Sequence, residues 1–174
     1  SAAPAQPAVD TATLWESARE EAAHRGLTAA EPLLRAVLSQ DPTHPGVGVM
    51  LGHHLLDSGD AEGERLLLQV VERADESWMS PACEVLQAHY LATGRLDRLR
   101  DVRARLDRHD AEVAAAQRER ATIGWRDAVL PHGLDDPPLA PLRDLLAAQS
   151  DCAAAWLVRK DVRYFPHRPL FLLC

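Results

Sequence analysis

The chain has 174 residues, 47% apolar and 26% charged, with a net charge of −7. That balance belongs to a folded, water-facing chain rather than a disordered one, and no run approaches the roughly 18 consecutive apolar residues of a membrane span. Residues 1–94 hold 14 acidic and 5 basic side chains and residues 95–174 hold 12 and 14, so the acidic first half argues against a phosphate-binding surface there.

Residues 1–10, SAAPAQPAVD, read as a small-residue and proline linker that starts on Ser rather than Met. It is expected to be disordered, and its start is expected of a processed product or a piece cut from a longer chain. From Thr11 or Thr13, an N-cap type of residue, a helix places Leu14, Trp15, Ala18 and Ala22 on one stripe. Thr28 with Glu31 three residues later predicts a capping box for the next helix, which buries Leu34, Val37 and Leu38 and stops at Asp41-Pro42. Residues 45–76 predict a second pair, with Gly59 ending the first helix and Asp60 capping the one that follows. Gly52 falls inside a helix, where Gly costs about 1 kcal/mol relative to Ala. Close approach of a second helix is the expected reason.

Ser77 or Ser80 starts the third pair, with Pro81 near its first turn and Val85, Leu86, Tyr90 and Leu91 on its apolar side. Beyond Gly94, Leu96, Leu99, Val102 and Leu106 keep helical spacing. Arginines between Arg95 and Arg108 are interleaved with Asp97, Asp101 and Asp107, which pair at i,i+3 and i,i+4 and predict a solvated face rather than a nucleic-acid surface. Asp110 is expected to cap a separate helix that covers the end of the array. After Trp125, LPHGLDDPPLAP reads as a linker or ordered loop. A helix over residues 136–149 and strands over 155–162 and 169–174 follow, while RYFPHR between the strands holds a Pro and is no central strand. Two strands alone are marginal. The piece is therefore expected to dock on the helices or to be completed by strands from elsewhere.

Gly26, Gly59 and Gly94 recur at intervals of 33 and 35 residues, and Leu51-Gly52 with Leu55, Leu68 and Val71 fills in the unit between them. Trp15 stands upstream of the first glycine, Tyr90 upstream of the third, and Leu38, Val71 and Leu106 share one place in the second helices. This pattern resembles the tetratricopeptide repeat, a 34-residue helix-turn-helix unit. Two features depart from it: Glu31, Glu64 and Leu99 stand where the family has a small residue, and only Asp41-Pro42 supplies the closing proline. The resemblance implies a mainly α fold, a superhelix of about three helix pairs plus a capping helix over residues 11–123. A small C-terminal α/β appendage of one helix and two strands over residues 124–174, cut short at its last strand, completes the expected organisation.

The same resemblance implies a concave groove lined by the first helix of each pair. Its positions fall on Glu16, Glu20, Ala23 and His24, then Val49, His53, Leu56 and Asp57, then Glu84, Ala88 and Leu91. Chaperone-binding members of the family clamp a carboxylate terminus with Lys, Arg and Asn in such places. Acids stand here, so a protein or peptide with basic or apolar side chains is the expected partner. A second, weaker likeness lies in the last 55 residues. Glu119 and Arg120, residues 130–134, residues 155–160 and residues 165–173 are similar to the region that follows the repeats in bacterial membrane-associated zinc metallopeptidases. Those enzymes hold zinc on an HExxH helix, and no HExxH occurs in this chain. The likeness implies the non-catalytic C-terminal part of such a protein, an interaction or scaffolding module.

Candidate chemistry within the chain is thin. His53 and His54 are adjacent and point about 100° apart on a helix, and His53 with Asp57 falls short of a zinc set. Cys83 and His89 are not on one helix face, His132 in Pro131-His132-Gly133 reads as a structural loop residue, and no GxSxG, phosphate loop or GxGxxG occurs. Cys83, Cys152 and Cys174 are odd in number and fit neither a disulfide framework nor a zinc ribbon, which favours a reducing, cytoplasmic setting. No catalytic residue, metal or cofactor is expected. The enzyme alternative is a hydrolase or metal site around His53, Asp57 and His89. The structural alternative is a homodimer formed through the apolar residues 171–174.

Overall fold

Three glycines fold the first part of the chain into helical hairpins. The computed structural model describes residues 10–73, 77–149, 151 and 153–174, and divides into two compact units between His109 and Asp110. In the first unit α1 (Thr11–Arg25) and α2 (Leu27–Gln40) are joined at Gly26, α3 (Pro45–Asp57) and α4 (Ala61–Arg73) at Gly59, and α5 (Met79–Ala92) and the first part of α6 (Leu96–Ala121) at Gly94, while residues 110–121 of α6 belong to the second unit. The three glycines have φ of 86°, 77° and 68°, a region that side chains rarely enter.

The helix starts differ in part from those expected. Asp10, not Thr11 or Thr13, caps α1, its carboxylate accepting from the Thr13 N–H at 2.8 Å. Thr28 forms no capping box, because α2 leaves Gly26 directly and Thr28 already lies in its first turn. Asp60 does cap α4, accepting from the Glu62 N–H at 2.8 Å. Trp78 occupies the cap position of α5 and makes no side-chain cap bond. Asp110 starts no new helix: α6 runs on for 26 residues, since nothing between Leu96 and Ala121 is Gly or Pro and an interior Asp costs only about 0.7 kcal/mol.

The middle pair is packed from both sides. Val47, Leu51 and Leu55 of α3 and Leu66 of α4 join Ala18, Ala30, Leu34 and Val37 in one core cluster. Val49, with Leu67, Val70 and Val71, joins Met79, Ala82, Cys83, Leu86, Tyr90, Leu99 and Val102 in another. Neither hairpin face is left to water, which is the energetic logic of a stacked repeat. Gly52 is where the two helices of this pair come closest. A Cβ there would stand 2.8 Å from Leu67 Cγ and 3.1 Å from the Gly63 carbonyl, and a Cβ on Gly63 would stand 2.5 Å from the Gly52 carbonyl and 2.6 Å from the Leu56 nitrogen. The small residue early in the second helix is thus Gly63, with buried Ala30 33 residues before it. Both lie one position ahead of Glu64 and Glu31, where the repeat spacing puts it.

The second unit holds β1 (Val129–Pro131), α7 (Asp136–Ala147), β2 (Leu157–Lys160) and β3 (Leu170–Leu173). The strands form one antiparallel sheet in the order β1-β2-β3. β1 is an addition to the two expected strands and falls in the stretch read as a loop. Pro131 fits there because β1 is an edge. Cα partners run Val129–Lys160–Leu170, Leu130–Arg159–Phe171 and Pro131–Val158–Leu172.

Within this unit the last turn of α6 holds the segment between β2 and β3. The Arg120 guanidinium donates to the carbonyls of Tyr164, Phe165 and Arg168 at 2.8, 3.0 and 3.1 Å. The Glu119 carboxylate accepts from the N–H groups of Arg163 and Tyr164 at 2.9 and 3.1 Å. Buried Lys160 donates to the carbonyls of Glu119 and Thr122, capping the helix end, and pairs with Asp127 at 2.8 Å.

Candidate functional site

Most of the expected groove positions reach solvent, because each sits on the stripe of its helix opposite the core. Glu16, Glu20, Ala23 and His24 on α1 are exposed, as are His53 and Asp57 on α3 and Glu84, Ala88 and Leu91 on α5. Leu91 is 63% exposed, the kind of apolar side chain that a partner could cover. Val49 is corrected. It is 7% exposed and belongs to the core cluster that holds Ala82, Cys83 and Leu86 of α5, so the inner side of α3 is closed at that level. Leu56 is half-buried against the same cluster, which leaves His53 and Asp57 as the exposed residues of that set on α3.

The starts of the three first helices meet. Gly46 at the beginning of α3 lies against both Trp15 of α1 and Trp78 before α5: a Cβ on it would stand 2.7 Å from Trp15 Cζ2 and 2.9 Å from Trp78 Cζ2. The two indoles contact each other edge to face, with centroids 6.2 Å apart. Glu16 pairs with Arg19 at 3.4 Å, and Asp57 with His53 at 3.5 Å. Glu20 and Glu84 have no ion-pair partner among the described residues. The exposed stripes therefore carry uncompensated negative charge beside apolar Ala88 and Leu91.

Successive pairs are tied together by Glu64 and Glu31, the carboxylates that depart from the small residue of the repeat pattern. Glu64 of α4 accepts from the Tyr90 hydroxyl at 2.7 Å and from both terminal nitrogens of Arg95 at 2.6 and 3.0 Å. The Arg95 guanidinium also lies over the Tyr90 ring, 4.9 Å from its centroid. One repeat earlier, Glu31 of α2 pairs with Arg35 at 2.8 Å and with His54 of α3 at 3.4 Å. Both glutamates reach the end of the next first helix. The hydrogen bonds from Arg95 hold the Glu64 carboxyl below the usual range. Burial, and then the bond to Glu64, push the Tyr90 phenol up to about 12.

Two opposite pH dependences follow from this clamp. Glu64 is more acidic when folded, so its contribution is present above an unfolded value near 4.5 and is lost as pH falls through the folded one. Tyr90 is less acidic when folded, so its contribution is complete below about 10 and is lost as pH rises through about 12. Glu64→Gln is expected to lower stability at pH 7 by about 1–2 kcal/mol, with the deficit against the parent shrinking towards zero at pH 3. Urea unfolding at both pH values checks this. A deficit that does not change with pH would show that the charge of Glu64 is not what matters.

For the enzyme alternative, His53 and Asp57 are paired, but His89 is half-buried and turned edge-on to Tyr90, with centroids 5.7 Å apart. Among the described residues no three His, Cys, Asp or Glu side chains converge as a metal set. His132 bonds within its own loop, its Nδ1 accepting from the Leu134 N–H at 3.0 Å. Cys152 lies outside the described residues, Cys83 is buried, and Cys174 is exposed. A cavity of about 260 Å³ among Leu38, His44, Gly48, Leu66, Val70 and Arg73 contains none of the expected site residues.

No family model, curated protein or solved structure matches this chain. No helix among the described residues is long and apolar enough to cross a membrane.

Proposed function

We propose that the helical pairs form a tetratricopeptide-like interaction module that binds a protein or peptide with basic or apolar side chains along α1, α3 and α5. The observation that carries this is that Glu20 and Glu84 have no ion-pair partner among the described residues, with Ala23, Ala88 and Leu91 exposed on the same helices. A basic segment gains Coulomb attraction and steering there, and an acidic tail is repelled. In this proposal the chain is the non-catalytic, cytoplasmic C-terminal part of a larger bacterial protein of the zinc metallopeptidase kind.

Calorimetric titration of the whole chain with a Leu/Arg peptide and with its Leu/Glu counterpart tests the binding proposal. The Arg peptide is expected to bind, and the double charge reversal Glu20→Lys, Glu84→Lys to weaken it about tenfold, the value of about 1.4 kcal/mol, without altering the melting temperature. Equal binding of both peptides, or an unchanged affinity in the reversed variant, would remove the groove from the account. The kinship is tested separately: a parent reading frame without HExxH would end it.

A further inference from the structure

The second unit carries a different kind of surface. Trp156 and Cys174 exchange both backbone hydrogen bonds, at 2.9 and 3.0 Å. Alternation along an antiparallel ladder then makes 158/172 and 160/170 the next hydrogen-bonded pairs. The N–H and C=O groups of Phe171 and Leu173 therefore point away from β2, at the outer edge of the sheet. Neither residue has another hydrogen bond among the described residues. The opposite edge is blunted, since β1 is three residues long and Pro131 offers no N–H.

Leu130, Arg159 and Phe171 are cross-strand partners and share one face of the sheet, together with Leu157 and Leu173. Lys160, on the other face, is matched to Asp127 and to two carbonyls. Arg159 is not matched. Among the described residues its buried Nε has no hydrogen-bond partner and no carboxylate pairs with its guanidinium. A cation on the apolar face one strand in from an open edge selects for one kind of occupant.

We infer that β3 is a docking edge for an extended segment of another protein, added antiparallel or parallel as a fourth strand and carrying a carboxylate between apolar residues. Its backbone takes the outward groups of Phe171 and Leu173. Its acidic side chain, in the row of Leu130, Arg159 and Phe171, stands about 10 Å from the Arg159 backbone across Phe171, a gap that a guanidinium and a glutamate side chain close between them. A second copy of this chain is the poorer occupant. Its β3, Leu-Phe-Leu-Leu, brings no acid to Arg159.

The test uses the whole chain and three capped pentapeptides: Val-Glu-Val-Glu-Val, Val-Lys-Val-Lys-Val, and the first N-methylated at alternate residues. At saturation the Glu peptide is expected to slow amide exchange at Phe171 and Leu173 at least tenfold and to leave Leu170 and Leu172 unchanged. The Lys peptide is expected to bind at least tenfold more weakly, and the methylated peptide not at all. Arg159→Gln should abolish the preference for Glu over Lys while keeping the protection. Unslowed exchange with the Glu peptide, or equal binding of the Glu and Lys peptides, overturns the inference. Protection of Phe171 and Leu173 that appears only on raising protein concentration also overturns it, by assigning the edge to a second copy.

Discussion

Gly63→Val is expected to lower the stability of the helical pairs by about 3 kcal/mol or more. Overpacking usually costs about 1–3 kcal/mol because neighbouring side chains can shift. Here they cannot. The added Cβ would stand 2.5 Å from the Gly52 carbonyl oxygen and 2.6 Å from the Leu56 nitrogen, both backbone atoms of α3, so relief requires α3 and α4 to separate. Those two helices feed both core clusters, and separation would loosen the packing of each. For a unit of this size the melting temperature should fall by on the order of 10 °C or more. Gly59→Ala is the control. Its φ of 77° is strained for Ala, but nothing lies within 4 Å of the new methyl, so a cost of about 1–2 kcal/mol is expected. Thermal unfolding of the two variants side by side gives the order, and a Gly63→Val variant as stable as Gly59→Ala would mean that the close approach of α3 and α4 is not obligatory.

Arg120→Ala is expected to release the segment between β2 and β3. One guanidinium satisfies three carbonyls there, those of Tyr164, Phe165 and Arg168, and Phe165 is held at a φ of 49° that a non-glycine residue rarely adopts. A hydrogen bond to a charged group is worth about 1.5–3 kcal/mol, but three to one partly exposed side chain are not additive. A total of about 3 kcal/mol is the reasonable size. All three bonds come from one terminal nitrogen, so Arg120→Lys, whose ammonium also carries several hydrogens, should recover part of the loss. Amide exchange at Arg163 and Tyr164, whose N–H groups are bound to Glu119, reads the effect. Unchanged protection at both amides in Arg120→Ala would show that Glu119 holds the segment without its neighbour.

The hairpins were legible because they rest on local rules: a glycine with positive φ at each turn, apolar residues at helical spacing, and a mid-helix Gly52 that needs a close neighbour. The errors share a cause as well. Asp110 is a good cap residue, but a cap does not end a helix that has no breaker, and α6 continued. Val49 has the place of a groove residue in the repeat resemblance, yet the packing of α3 against α5 closes that level. Spacing from the turn glycine falls on Glu64, one position past Gly63, because the contact is set by where Gly52 meets the facing helix. β1 is three residues in Pro-rich surroundings and is a strand only because β2 lies beside it. Glu119 and Arg120 were noticed as part of a likeness, but their role is to hold residues more than forty positions away. The same holds for Glu64 with Tyr90 and Arg95: long-range polar partners leave no periodic mark in a sequence.

The most direct measurement is a backbone NMR titration of the chain with the Leu/Arg peptide. The account predicts shifts that saturate together at Glu16, Glu20, His53, Asp57, Glu84 and Leu91, with the core positions Leu34 and Leu67 unmoved. Shifts confined to other surfaces, or none at saturating peptide, would contradict it.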